Sequence, residues 1–167
     1  IIMPHELTPQ DIEKMQKELD YRRIELMPEL LEEVKRTRAF GDLSENYEYK
    51  AAKQAQNANR KRIRYLTRMI QSSTVIEDTA GDDEVGFFDE VELYFPEDDE
   101  TQTVQVVTTV RCDPREGRIS KESPLGRVLL GRKVGDKVTV KVSEQYSYEV
   151  EVRAMTKSQD DGSAPIL

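Results

Sequence analysis

Two carboxylates three residues apart, Asp42 and Glu45, lie just after Gly41 and between two long stretches of helical character. A helical turn begun here would bring both side chains together. Such a pair suits a hard divalent cation such as Mg²⁺, which takes oxygen ligands and keeps several waters. Two carboxylates do not make a closed protein site, so a cation held here would need further ligands from another molecule. The same spacing also fits a capping box with Asp in place of Ser or Thr, and the helix macrodipole favours acids in a first turn. On pattern alone capping is the commoner use, and the two uses are compatible. Arg38 and Lys53 flank the pair in sequence, so the segment carries both signs of charge and could meet a phosphodiester and a metal together. The basic run Arg60-Lys61-Arg62-Ile63-Arg64, with Arg68, points in several directions around a helix and reads as a solvated face.

The elements that must position these residues are two helices. Thr8-Pro9 reads as an N-cap followed by proline at the first helical position. Apolar residues recur at Ile12, Met15 and Leu19, then at Ile24, Met27, Leu31 and Val34, in steps of three and four. The phase slips by one residue between the runs, and Pro28 follows the slip, which predicts a kink near Ile24–Pro28. The helix is expected to end near Phe40, with Gly41 in the left-handed conformation. A second helix is expected to start between Asp42 and Glu45, with a seam of Ala52, Ala55, Asn59, Ile63, Leu66 and Ile70. So short a connection requires the two helices to run antiparallel. At ~1.5 Å per residue the hairpin would be a rod roughly 40 Å long, with the segment 38–46 at its tip.

The second half has a different character. Seven of the eight glycines follow residue 80, and the stretches 91–95, 104–110, 137–142 and 148–152 read as strands. Glu97-Asp98-Asp99-Glu100 reads as an acidic turn, and Ser123-Pro124 through Gly131 as a short capped helix. The expected architecture is α+β in two domains: a helical hairpin over 1–79 and, over 80–167, an antiparallel sheet with one short helix. Ala80-Gly81-Asp82-Asp83 reads as the linker.

Charge divides along the same line. The 167 residues carry a formal net charge of −8. Residues 1–80 hold 14 basic and 14 acidic side chains, whereas residues 81–167 hold 11 and 19. An acidic excess argues against binding nucleic acid through bulk charge. The absence of tryptophan argues against a stacking platform for single strands. One cysteine, Cys112, and one histidine, His5, exclude an internal disulfide and a thiolate zinc site, and a reducing cytoplasm is the expected compartment. No apolar run reaches the ~18 residues of a membrane span, so no membrane partner is expected.

The segment Gly41-Asp42-Leu43-Ser44-Glu45-Asn46-Tyr47-Glu48-Tyr49, followed by Ala51-Ala52-Lys53, resembles the tip signature of the bacterial Gre-type transcript cleavage factors. Gly117-Arg118-Ile119-Ser120, Ser123-Pro124-Leu125-Gly126-Arg127 and Leu130-Gly131-Arg132-Lys133-Val134-Gly135-Asp136 resemble that family's C-terminal domain. The matches follow the family's order and spacing over nearly the whole chain. Pro28 stands where the family has a proline in its first helix.

The resemblance implies a coiled coil that enters the secondary channel of bacterial RNA polymerase, and an FK506-binding-protein-like domain that docks at the channel entrance. The tip would reach the active centre of a backtracked complex and stimulate cleavage of the extruded RNA 3′ segment. Asp42 and Glu45 match the family's catalytic tip acids. Asp42 would help hold a second Mg²⁺ shared with the polymerase, and Glu45 would orient water or accept its proton. Arg38 and Lys53 match basic positions beside the tip, and Asn46 is a further candidate contact to RNA or polymerase. Ser123, Pro124, Leu125 and Arg127 are candidate docking residues. The chain is expected to act as a monomer and to be no nuclease by itself. Competing expectations are a Gre-like inhibitor that plugs the channel without cleavage, a peptidyl-prolyl isomerase and a structural adaptor. Inhibitors alter the tip acids, which here are both present.

Overall fold

The computed structural model describes residues 5–41 and 45–167. The described chain forms two compact units. The first is built on Ile12–Thr74, and the second on Glu6–Asp11 together with Val75–Leu167.

In the first unit, helix α1 (Pro9–Tyr21) leads through a π-helical turn, Arg22–Leu26, into α2 (Met27–Arg38), and α3 (Tyr47–Gln71) returns against α2. The expected irregularity near Pro28 is therefore a π turn. The Met27 N–H donates to the Arg22 carbonyl, so the register shift falls immediately before the proline, which has no N–H to give.

The π turn also changes which residues face α3. Met15 and Leu19 are buried as expected, but Ile24, Met27 and Leu31 are exposed, Ile24 at 71%. The packed positions are Leu26 and Leu30, which are half-buried, and Val34 and Thr37, which are buried. Their steps are four, four and three, which a regular helix accommodates, and the extra residue of the π turn just ahead of them rotates the face that follows it. On α3 the buried positions are Ala52, Gln56, Asn59, Ile63, Leu66 and Met69. Gln56 and Met69 thus replace the expected Ala55 and Ile70.

The hairpin interior is partly polar. Arg22 donates to the Asn59 side-chain oxygen at 3.0 Å, and the Asn59 amide donates to the Arg22 carbonyl at 3.3 Å. Glu18 accepts from Arg22 Nε and Arg62 Nε, each at 2.8 Å. A polar layer of this kind fixes register, because a slip would strand its members among apolar neighbours.

The second unit is a five-stranded sheet in the order β5-β4-β3-β7-β6. Its strands are β3 (Glu90–Phe95), β4 (Glu100–Val107), β5 (Arg118–Ser120), β6 (Lys137–Lys141) and β7 (Ser147–Thr156). Two shorter strands, β1 (His5–Leu7) and β2 (Ser73–Val75), pair separately. The β3–β4, β3–β7 and β6–β7 pairs are antiparallel as expected, but β4–β5 is parallel. Parallel neighbours need a crossover connection. Two short 3₁₀ turns, Thr109–Arg111 and Pro114–Glu116, supply it. Val91, Leu93, Val104, Val106 and Val152 pack with Leu129 of the short helix α4 (Pro124–Leu129) to form the core. Gly126 is required in that helix, because a Cβ there would lie 2.0 Å from the Ser120 carbonyl oxygen.

Glu6–Asp11 belongs to this unit, which departs from the expected division at 79/80, and the reason is a buried arginine. Thr8 Oγ1 accepts from the Asp11 N–H, and an Asp11 carboxylate oxygen accepts from the Thr8 N–H, forming a reciprocal cap at the start of α1. The same carboxylate accepts from Thr108 Oγ1 at 2.7 Å and from Arg111 at 3.0 Å. Arg111 is 1% exposed and donates two bonds to Asp160, each 2.7 Å, and one to the Ala164 carbonyl. Burial alone would push the guanidinium down, but Asp160 and Asp11 outweigh that and hold it above its ordinary value.

Two outcomes follow. Removing the charge with Arg111→Met strands the buried Asp11 carboxylate and the partly buried Asp160 and is expected to cost about 3–5 kcal/mol in denaturant unfolding. Burial pushes the Glu18 carboxyl up, but Arg62 and Arg22 hold it below the usual carboxylate range. Its folded-state value is depressed, so its contribution is present above the unfolded value and is lost as pH falls through the folded one. Circular dichroism melts between pH 6 and pH 3 should show a loss of helical stability on acidification that is smaller in Glu18→Gln.

Candidate functional site

The end of the hairpin is built from α2, the residues that follow it and the start of α3. Thr37 Oγ1 donates back to the Glu33 carbonyl at 2.9 Å, closing the last turn of α2. Phe40 N–H donates to the Thr37 carbonyl, and Gly41 has φ 102°, the left-handed region expected for the residue that ends this helix.

Helix α3 starts later than the spacing of the acids suggested. Its N-cap is Asn46, whose side-chain oxygen accepts from the Tyr49 N–H at 3.0 Å. The Asn46 amide also donates to the Thr37 carbonyl at 2.6 Å. One side chain therefore caps α3 and fastens it to the end of α2. Asn46, expected as a contact to RNA or polymerase, has both ends engaged within the hairpin.

Glu45 precedes the cap. It is exposed, and its carboxylate makes no hydrogen bond or ion pair with another described residue. Glu45 itself lies before the first residue of α3, whose cap is Asn46. Asp42, the other expected acid, lies outside the described residues.

The two flanking cations converge on Tyr49 rather than on each other. Arg38 donates to the Tyr49 hydroxyl at 3.4 Å, and its guanidinium carbon lies 5.6 Å from that ring's centre. The Arg38 hydrogen bond holds the Tyr49 phenol below its ordinary value, with smaller contributions from the Arg38 and Lys53 charges. Lys53 donates to the Gln56 side-chain oxygen at 3.3 Å. Arg36 pairs with Glu33 at 2.6 Å and lies 5.2 Å from the centre of the Phe40 ring. Nothing in the spacing of the charged residues gives Tyr49 a role. Only its place one turn beyond the tip, on the side of Arg38, could have signalled one.

The expected docking residues divide by what they do. Ser123 caps α4, accepting from the Gly126 N–H and donating to the Ser120 carbonyl at 2.6 Å. Leu125 packs against the core of the sheet. Pro124 and Arg127 are exposed, and Arg127 has no side-chain hydrogen bond or ion pair to another described residue. Among the described residues there is no group of three or more potential metal ligands, and no helix is long and apolar enough to cross a membrane.

The double use of Asn46 can be dissected by two substitutions. Asn46→Ala should lower hairpin stability by about 0.5–2 kcal/mol through loss of the cap. Asn46→Asp keeps the accepting oxygen but sets a second acceptor against the Thr37 carbonyl, so its thermal melt should stay below wild type although the cap remains.

Residues 5–75 match the family model described as transcription elongation factor, N-terminal, and residues 80–157 match transcription elongation factor, GreA/GreB, C-term. The chain is 42% identical over 135 residues to the transcription elongation factor GreA of Geobacillus kaustophilus, covering 80% of this chain and 85% of that one. It is 37% identical over 134 residues to the corresponding GreA of Bacillus subtilis, again covering 80% and 85%. The crystal structure of Thermus aquaticus Gfh1 is 26% identical with a TM-score of 0.44, covering 93% of this chain and 100% of that one. With both family models matched in order and relatives of this identity over four-fifths of its length, the chain belongs to the GreA/GreB family of transcription elongation factors.

Proposed function

We propose that this family member stimulates endonucleolytic cleavage of the RNA 3′ segment in backtracked RNA polymerase, carrying Asp42 and Glu45 into the secondary channel on the end of its helical hairpin. The observation that carries the reading is the state of Glu45. It is an exposed carboxylate at the hairpin end, one residue before the Asn46 cap of α3 and bonded to no other described residue.

Each residue then has a task that its chemistry allows. Glu45 is free to orient a water against the scissile phosphodiester or to accept its proton. Arg38, steadied by Tyr49, and Lys53 supply positive charge near an RNA backbone. Glu45 and Asp42 are hard oxygen donors suited to a share in Mg²⁺, and the polymerase would provide the remaining ligands. Bound there, the ion would supply Lewis-acid activation of water and stabilisation of the leaving oxygen. The protein is on this reading a cofactor of the polymerase's own cleavage activity. Pro124 and Arg127, exposed at the start of α4, are available to hold the second unit at the channel entrance.

The test is a backtracked polymerase complex with end-labelled RNA, Mg²⁺ and the purified protein. Wild type should shorten the RNA, while Asp42→Ala and Glu45→Ala should slow cleavage about a hundredfold or more. Glu45→Ala should leave the melting temperature unchanged, since that carboxylate bonds no other described residue. Failure of wild type to shorten the RNA, or full activity in both variants, overturns the assignment.

A further inference from the structure

The second unit carries a cluster that the cleavage reading does not use. Phe95 at the end of β3, Tyr148 in β7 and Tyr146 just before β7 come together, with neighbouring ring centres 6.0 and 6.1 Å apart. They line a cavity of about 160 Å³ with Glu97, Asp98, Gln102 and Glu149. Phe95 and Tyr148 pack onto Val138, Val140 and Val150, so the floor of the cavity is anchored in the core. Tyr146 is 55% exposed and forms an open wall.

The charge around these rings is of one sign. The carboxylates of Glu97, Asp98 and Glu149 make no hydrogen bond or ion pair with another described residue, and no lysine or arginine lines the cavity. Aromatic faces attract cations through their quadrupole, and rim carboxylates add formal negative charge. Both features select the same guest. A phosphate backbone is repelled by this rim, and a neutral prolyl ring leaves the carboxylates uncompensated. The same sheet already holds one such contact: the Arg153 guanidinium carbon lies 3.7 Å from the centre of the Tyr94 ring.

We propose that the Phe95–Tyr146–Tyr148 cavity is a socket for one arginine side chain presented by a protein partner. The planar guanidinium stacks on the tyrosine faces and forks to the rim carboxylates, and the methylene shank covers Phe95. The socket makes the second unit a reader of an exposed basic residue, and it stands independently of the tip chemistry.

The test uses the full chain, labelled with nitrogen-15, and three blocked tripeptides: Gly-Arg-Gly, Gly-Pro-Gly and Gly-Leu-Gly. The arginine peptide should produce saturable amide shifts confined to Phe95, Glu97, Asp98, Tyr146, Tyr148 and Glu149, and added salt should weaken them. Tyr146→Ser and Glu149→Lys change exposed side chains, so both should keep the wild-type melt. Each should weaken arginine-peptide binding about three- to tenfold. Shifts that are absent or scattered over the surface overturn the proposal. So does equal or tighter binding of the proline or leucine peptide, which would mark an apolar pocket. Retention of full affinity in both variants overturns it as well.

Discussion

Arg111 brings together parts of the chain that are far apart in sequence. Its guanidinium reaches Asp11, about a hundred residues earlier, and Asp160 and Ala164, about fifty residues later. A charge this deeply buried is tolerated only when it is paired and its donors are satisfied. Here the fork–fork contact to Asp160 is completed by Asp11, and the Phe88 ring lies 5.1 Å away on one side. The consequence is topological. Glu6–Asp11 becomes part of the sheet unit, and so does the C-terminal segment that contains Asp160. The cap of α1 is then set by a carboxylate that is itself held by the sheet unit's arginine.

Within the hairpin, polar contacts do the specifying and apolar ones the holding. Met15, Leu19, Val34, Ile63, Leu66 and Met69 are interchangeable in kind, and a slipped pairing could bury a similar set. The Arg22–Asn59 exchange and the Glu18–Arg62 pair have no equivalent in a slipped register. The π turn at Arg22–Leu26 belongs to the same solution, since it places Arg22 on the inner face and leaves Ile24 outside. Register matters for function because it decides which residues stand at the hairpin end. It is what brings Asn46 to the Thr37 carbonyl and Tyr49 to Arg38.

Signals confined to a few neighbouring residues were the legible ones. Thr8-Pro9, Ser123-Pro124 and Gly41 mark element ends through local backbone chemistry, and each lies where the sequence placed an end. The strands β3, β6 and β7 were visible from their alternation, whereas β4, expected over 104–110, begins at Glu100 and ends at Val107, its last residues being buried on both faces. The seam of the first helix was read incorrectly past Leu19, because apolar periodicity cannot reveal that a π turn rotates the face. The three-residue β5 is too short to show a period. The Arg111 network left no trace, because pairing over such separations has no spacing to detect. At the site, the presence of a second helix start was legible, a few residues earlier than it falls. The identity of the cap was not, since Asp42, Ser44 and Asn46 are all good capping residues in sequence and only packing against Thr37 chooses among them.

That choice bears on chemistry. A carboxylate that caps a helix has its negative charge committed to backbone N–H groups, which lowers its basicity and fixes its direction. A carboxylate one residue before the cap is outside that arrangement. Asparagine suits the cap for a complementary reason: it is neutral, so it satisfies the α3 terminus without adding charge, and its amide has a donor left for the Thr37 carbonyl. The division of labour between Glu45 and Asn46 keeps the negative charge of the hairpin end on a side chain able to meet a cation or a water. The acidic excess of the chain, all of it beyond residue 80, is kept off the hairpin. On the proposed reading, a charge-balanced hairpin would approach RNA without a general repulsion, and the acids at its end would act locally through contact.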